Sequence, residues 1–82
     1  MVYYLVNFRF REQRGKWTIN GYTKIYSRLG MARRIFFRTS NTLARKGYSI
    51  IEENIGSEMM YRMFSRDNEL AVIMIIPSTM VG

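Results

Sequence analysis

Polar and apolar residues alternate through the first third of the chain. Between residues 2 and 11 every second side chain falls on one face of an extended strand, and the alternation resumes from Trp17 to Tyr26. Period-two alternation is typical of a half-buried strand. The two segments are separated by Gln13-Arg14-Gly15, where glycine supplies the positive φ that a tight turn needs. Residues 2–26 are therefore predicted to form a β-hairpin.

The alternation also predicts which hairpin side chains face the core. We expect the more apolar set to be buried, because burying apolar area is the main favourable term in folding. This set comprises Val2, Tyr4, Val6, Phe8, Phe10, Trp17, Ile19, Thr23 and Ile25. Gly21 interrupts the second strand and is expected to mark a bulge.

A helical period replaces the alternation after Tyr26. Ser27 is a suitable N-cap and Gly47 a suitable C′ residue, so residues 27–47 are predicted to form a basic amphipathic helix. Residues spaced three and four apart form its predicted inward face, which consists of Leu29, Ala32, Ile35, Phe36, Thr39 and Leu43.

Residues 48–77 return to strand-like patterns. The segments 48–55 and 58–65 are predicted to form a second hairpin, although their alternation does not assign the faces. Leu70 to Ile76 is a continuous apolar run, typical of a strand that is central or covered on both faces. Pro77 ends it.

The resulting order, ββαβββ, predicts an α+β fold in which one helix packs on one face of a mainly antiparallel sheet. At 82 residues, the chain is predicted to be a single domain spanning residues 1–82. One helix covers only one face, so the other face must be solvated, dimeric or occupied by a ligand. A domain this small buries a modest share of its surface, and a homodimer is left open for that reason.

The basic residues are unevenly distributed. Residues 1–47 hold 11 of the 13 Lys and Arg residues and one acid, Glu12, whereas residues 48–82 hold two Arg and five acids. Arg outnumbers Lys by ten to three, and Arg is suited to bidentate contacts with phosphate. This asymmetry predicts an anionic partner for one face of the protein.

Two basic surfaces are candidates for that partner. The outward stripe of the helix is a candidate phosphate track, because no acid between Glu12 and Glu52 is present to form i,i+4 ion pairs with it. The face of the hairpin expected to meet solvent interleaves aromatic rings and cations, as single-strand-binding sheets do, although cross-strand tyrosines also stabilise ordinary hairpins. That face contains Tyr3, Arg9, Arg11, Lys16, Tyr22, Lys24 and Tyr26.

The predicted nucleic-acid-binding residues combine these two surfaces with the hairpin turn. Tyr22 and Tyr26 are assigned base stacking, and the arginines phosphate contacts. The full set is Arg9, Arg11, Arg14, Lys16, Tyr22, Lys24, Tyr26, Arg34, Arg38, Asn41 and Arg45.

Catalysis is not expected. The chain has neither Cys nor His, which removes the commonest nucleophile, general base and metal ligands. Glu52 and Glu53 are adjacent on a strand and point to opposite faces. No phosphate-binding loop or metal motif is present, so neither a cofactor nor a metal is predicted. The apolar runs are too short to span a membrane, and residues 1–10 alternate and contain Arg9, unlike a signal peptide, so a cytoplasmic location is expected.

Two functional hypotheses follow from these features. The first is a small, non-catalytic nucleic-acid-binding accessory or regulatory protein, with RNA favoured over DNA. The alternative is an inhibitor or adaptor that docks on an acidic or nucleic-acid-binding protein surface, such as the nucleic-acid channel of a host or defence enzyme. In one form of this alternative, RNA bridges the protein to its target. Binding of RNA by the isolated protein distinguishes the first hypothesis from a partner that is protein alone; the two hypotheses coincide if RNA forms the bridge.

Overall fold

The computed structural model of the chain describes residues 1–80, and the last two positions of the predicted 1–82 domain lie outside the described residues. The elements are β1 (Tyr3–Gln13), β2 (Lys16–Tyr26), α1 (Leu29–Arg45), β3 (Ser49–Ile55), β4 (Met60–Arg66), β5 (Glu69–Pro77) and a 3₁₀ turn (Ser78–Met80). The predicted ββαβββ order and α+β class are confirmed.

The five strands form one antiparallel sheet in the order β2-β1-β5-β4-β3. β5 lies at its centre, between β1 and β4, as the continuous apolar run of Leu70 to Ile76 predicts. β2 and β3 form the two edges, and most of their residues are exposed.

The hydrophobic core lies between α1 and one face of this sheet. Phe36 is fully buried at its centre, which confirms the predicted phase of the helix. Ser40, one turn later, is also buried, and its hydroxyl has no hydrogen-bond partner among residues 1–80. The remaining buried apolar residues are Leu5, Ala32, Leu43, Tyr48, Met60, Phe64, Ala71, Ile73, Ile75 and Pro77.

The predicted assignment of the hairpin faces is wrong. The helix packs on the β1 face that carries Leu5, and the set expected in the core points away from the helix. Trp17, Ile19 and Ile25 are consequently 53%, 65% and 63% exposed. Alternation identifies residues that share a face, but the strand order decides which face meets the helix, and in this hairpin it is the less apolar one.

Gly21 does not mark a bulge. It pairs with Phe8 in an unbroken β1–β2 register. A Cβ atom at this position would collide with the Phe8 ring and the Asn7 carbonyl oxygen, so glycine is required because the Phe8 ring lies over the backbone. The register shift lies instead in β3, between Ile50 and Glu52, and it explains why alternation assigned no faces there.

The helix ends at the predicted residue and begins one residue later than predicted. Gly47 is at C′ with a φ of 92°, a conformation that favours glycine. The N-cap is Arg28 instead of Ser27, and its side chain makes no capping hydrogen bond. A positive charge at the N-terminus of a helix also interacts unfavourably with the helix dipole. The first turn of α1 is therefore stabilised mainly by packing of the helix on the sheet.

Candidate nucleic-acid interface

The helix stripe and the cationic hairpin side chains share one side of the molecule. The β1–β2 register places Tyr22 and Lys24 on the same sheet face as Leu5, which is the face that α1 covers. The predicted hairpin faces put the cationic side chains on the sheet face away from the helix, and therefore on the opposite side from the helix stripe. The fold instead gathers them on the helix-bearing side, which we call the basic side.

The stripe on α1 is fully available to a partner. Its four members, Arg34, Arg38, Asn41 and Arg45, are all exposed and span about 16 Å at 1.5 Å per residue. No ion pair among residues 1–80 involves any of the three arginines. The stripe therefore presents three guanidinium groups to solvent without local neutralisation.

Beside the helix, β2 provides an anchored aromatic ring. Tyr22 is 46% exposed, and its hydroxyl accepts a hydrogen bond of 3.2 Å from Asn7 Nδ2. The Lys24 ammonium lies 5.4 Å from the ring centroid. Arg9 donates a hydrogen bond to the Asn7 side-chain oxygen, which links the three polar groups into one network. The ring is therefore held in place next to a cation.

This part of the sheet is a shallow depression. It has a volume of about 210 Å³ and is lined by Asn7, Arg9, Asn20, Gly21 and Tyr22. Sites that enclose small molecules are larger, at roughly 300–1,000 Å³. The depression fits contact with part of a larger ligand better than enclosure of a small one. Tyr26, the other predicted stacking residue, is half-buried against the core.

The turn of the first hairpin holds an arginine in a strained conformation. Arg14 and Gly15 have φ values of 54° and 78°, as in a type I′ turn. Asparagine or glycine is preferred at the position of Arg14, and a residue of this kind in the left-handed region costs about 1–2 kcal/mol. Arg14 and Lys16, on either side of Gly15, are exposed at the tip. The turn keeps a cation where a smaller residue would be more stable.

Arg11 has a structural partner. Its guanidinium lies 3.1 Å from Glu69 Oε1, which also accepts a hydrogen bond of 3.3 Å from Arg66. The other carboxylate oxygen, Oε2, accepts a hydrogen bond of 2.6 Å from the Tyr48 hydroxyl. Arg66 donates a further hydrogen bond of 2.7 Å to the Lys46 carbonyl at the end of α1. This network ties β1, β4 and β5 to the helix, and Arg11 contributes less free charge to the basic side than the α1 stripe does.

The Glu69 network predicts a defined loss of stability in acid. Hydrogen bonds from Tyr48 and then Arg11 lower the pKa of Glu69 from 4.5 to about 2. The carboxylate therefore stabilises the folded state fully above pH 4.5, and this contribution is lost as the pH falls from 4.5 through about 2. Glu69→Gln should reduce the loss of unfolding free energy over this interval, as measured by urea denaturation at a series of pH values.

Glu58→Gln is the control for that experiment. Glu58 is exposed and forms no ion pair among residues 1–80, so this variant should follow the wild-type pH profile. A Glu69→Gln profile parallel to wild type would show that the network does not contribute to stability.

On the other flank of the helix, the cation is paired with an acid. On β3, Glu53 accepts a hydrogen bond of 2.7 Å from Arg62, which also lies 5.3 Å from the centroid of the Phe37 ring. Lys24 and Lys16 are the corresponding charged residues on β2. The flank of the helix at β2 is therefore basic, whereas on the flank at β3 and β4 the cation Arg62 is paired with Glu53.

Within the described part of the chain, no group of three or more His, Cys, Asp or Glu residues could hold a metal ion. No helix there is both long enough and apolar enough to cross a membrane. Comparison of the chain with protein-family models, curated proteins and solved structures finds no match in any of the three.

Proposed function

We propose that this chain is a non-catalytic nucleic-acid-binding accessory protein whose preferred ligand is single-stranded RNA, bound on the basic side. The observation that carries the proposal is the exposed, unpaired arginine stripe of α1 beside the anchored Tyr22 ring. Phosphate contacts are assigned to the α1 arginines, and base stacking to Tyr22. The proposed location is the cytoplasm.

The charge arrangement supports a polyanion as the partner. Arg34 and Arg38 are four residues apart on the helix, a spacing at which like charges destabilise a helix by about 0.2–0.5 kcal/mol. A bound phosphate chain would relieve this repulsion and release its own counterions. Arg14 supports the same conclusion, since its left-handed backbone is tolerated at a cost while its side chain keeps a charge at the hairpin tip.

The shape of the basic side favours a single strand over a duplex. The stripe lies on top of the helix, whereas Tyr22 lies on the sheet, about one helix diameter of roughly 10 Å lower. A stiff duplex on the stripe would contact the helix alone. A flexible strand can follow the step and place a base against the Tyr22 ring.

The salt dependence of binding tests this proposal. For the three stripe arginines together with Lys24 and Lys16, five phosphate contacts on single-stranded RNA predict a slope of log K against log salt of about −3.5. A duplex that reaches only the three stripe arginines should give about −2.7. Fluorescence anisotropy of labelled oligonucleotides over a salt series measures both slopes.

Two results would contradict the proposal. Absence of RNA binding at low salt would exclude nucleic acid as the direct ligand and leave an acidic protein surface as the partner. A steeper slope and tighter binding for the duplex would show that Tyr22 and the step beside it play no part in recognition.

A further inference from the structure

The sheet face opposite the helix is an extended apolar surface. We call it the open face; all of its side chains point away from α1. Among residues 1–80 it carries no Lys or Arg, and its charged residues are Glu12 and Glu52 near the rim. Its central members are Tyr4, Val6, Phe8, Phe10, Trp17, Ile19, Thr23, Ile25, Tyr61, Met63, Leu70, Val72, Met74 and Ile76.

The size of the open face matches a stable protein interface. Five strands spaced about 4.8 Å apart, with nine residues of about 3.3 Å each, give a footprint of roughly 700 Å². Standard interfaces bury about 800 Å² on each partner. Monomeric proteins rarely expose apolar patches larger than about 300–600 Å². On β3 this face carries Ser49, Glu52 and Asn54, so the apolar part on β2, β1, β5 and β4 covers roughly 570 Å², the upper end of the range for exposed patches. The whole face is close in size to one side of a standard interface.

We infer that a second copy of this chain covers the open face, so that two five-stranded sheets pack against each other in a symmetric dimer. A two-fold interface must be complementary to itself, and a sheet face whose centre is apolar and carries no charge meets this requirement. The strands of both copies twist in the same sense. Two sheets with the same twist pack face to face with their strands at an angle of about 30°. This inference does not depend on the proposed function.

The charge distribution is compatible with this arrangement. The chain carries a net charge of +7, but its cations lie on the basic side, at the hairpin tip and at the ends of the sheet. Facing copies would keep the two helix stripes on opposite outer surfaces, separated by two sheets and two helices. Charges farther apart than a Debye length of about 8–10 Å are largely screened.

The same charge distribution argues against RNA on the open face. Aromatic rings are present there, including Trp17 and Phe8, but a single-strand site also needs cations to hold the phosphates. The acids at the rim would repel a phosphate chain. Packing against a second apolar sheet would bury both the aliphatic and the aromatic side chains of this face, whereas RNA would stack only on the aromatic rings.

Trp17 makes the inference measurable. It is the only tryptophan of the chain, and it lies on the open face with 53% of its surface exposed. Dimer formation should move its ring into an apolar environment and shift its emission to shorter wavelength as the protein concentration rises. The emission maximum and the mass of the full chain can be followed together without RNA.

The experiment is sedimentation of the wild-type chain and of two open-face variants at concentrations up to roughly 200 μM. Wild type should have about twice the monomer mass of 9.8 kDa. Val72→Lys places a charge at the centre of the face, where Val72 pairs with Phe8 and Met63. This variant should sediment as a monomer with red-shifted Trp17 emission.

The second variant guards against misfolding. Ile19→Lys/Ile25→Lys changes two side chains that are already mostly exposed in the monomer, so its circular dichroism should match wild type. It should raise the dimer dissociation constant by about 100-fold or more, because like charges would be buried together. The control is Thr18→Lys/Asn20→Lys, which adds the same charge to the same strand on the basic side and should remain dimeric.

Three outcomes would overturn the inference. The first is a wild-type chain that stays at 9.8 kDa over the whole concentration range. The second is a dimer that persists in both open-face variants, which would place the interface elsewhere. The third is quenching of Trp17 by an RNA oligonucleotide in a monomeric wild type, which would assign the open face to nucleic acid.

Discussion

Phe36→Ala should lower the free energy of unfolding by about 3–5 kcal/mol, the cost of removing a large aromatic side chain from a packed core. Phe36 is fully buried, and its ring packs edge-to-face on Phe37 with centroids 5.2 Å apart. The Arg62 guanidinium lies 5.8 Å from the ring centroid. Because small domains have total stabilities near the lower end of about 5–15 kcal/mol, the variant should retain only about 0–2 kcal/mol, and up to about half of it should be unfolded without urea. Urea denaturation followed by far-ultraviolet circular dichroism measures the change.

Ser40→Ala is the matched control on the same helix. It also replaces a buried residue by alanine, but it removes a hydroxyl that has no hydrogen-bond partner among residues 1–80. Its stability should equal or exceed that of wild type, since burying an unsatisfied polar group costs about 1–3 kcal/mol. A Phe36→Ala chain that unfolds at the wild-type urea midpoint would contradict the packing of α1 on the sheet.

Removal of the α1 stripe should weaken RNA binding and reduce its salt dependence. The triple variant Arg34→Ala/Arg38→Ala/Arg45→Ala takes away three of the five proposed phosphate contacts. The slope of log K against log salt should therefore change from about −3.5 to about −1.4, and affinity near 0.1 M salt should fall about 100-fold. The fold should be retained, because all three side chains are exposed and unpaired.

Tyr22→Ala should affect binding in a different way. Loss of a stacking platform costs about 1–3 kcal/mol per base and leaves the charge unchanged, so affinity should fall without a change in slope. Tyr22→Phe removes only the hydroxyl that accepts the Asn7 hydrogen bond and should keep most of the affinity. A triple lysine variant at the stripe positions retains the charge and should preserve the slope.

Wild-type binding by the triple alanine variant would mean that the stripe is merely a solvated helix face. The hairpin cations Arg9, Arg14 and Lys16 would then become the better candidates for the phosphate contacts. If both surfaces prove dispensable for RNA but essential in the cell, an acidic protein partner becomes the better explanation.

Local patterns were sufficient to predict the order of the elements. The turn at Arg14-Gly15, the C′ glycine at Gly47 and the phase that buries Phe36 are each set by residues within one or two turns of chain. The central position of β5 could also be predicted, since only a strand with neighbours on both sides has a continuous apolar sequence.

The sheet faces could not be predicted in the same way. β1 has Leu5 on one face and Phe8 on the other, and both faces of β5 are apolar. The covered face depends on how the chain crosses from β2 to β3, and hence on a strand order that alternation does not reveal. The more apolar side was expected in the core, yet it is the open face.

The same limit applies to the candidate interface. The α1 stripe was predicted to be exposed, and it is, because one helix period determines its direction. The engagement of Arg11 by Glu69 was missed, since the two residues are 58 positions apart and meet only through the β1–β5 register. No local signal in the sequence indicates that pair.

The central position of β5 also constrains how this protein folds during synthesis. β1 and β5 are the first and last strands within residues 1–80, and they are neighbours in the sheet. Until the ribosome has delivered the residues up to Pro77, the two outer hairpins have no strand in common, and isolated hairpins are marginal in water. Pairing across so long a separation is slow. The nascent chain must therefore keep its apolar strands exposed until late, and we expect its yield in cells to depend on chaperones and growth temperature.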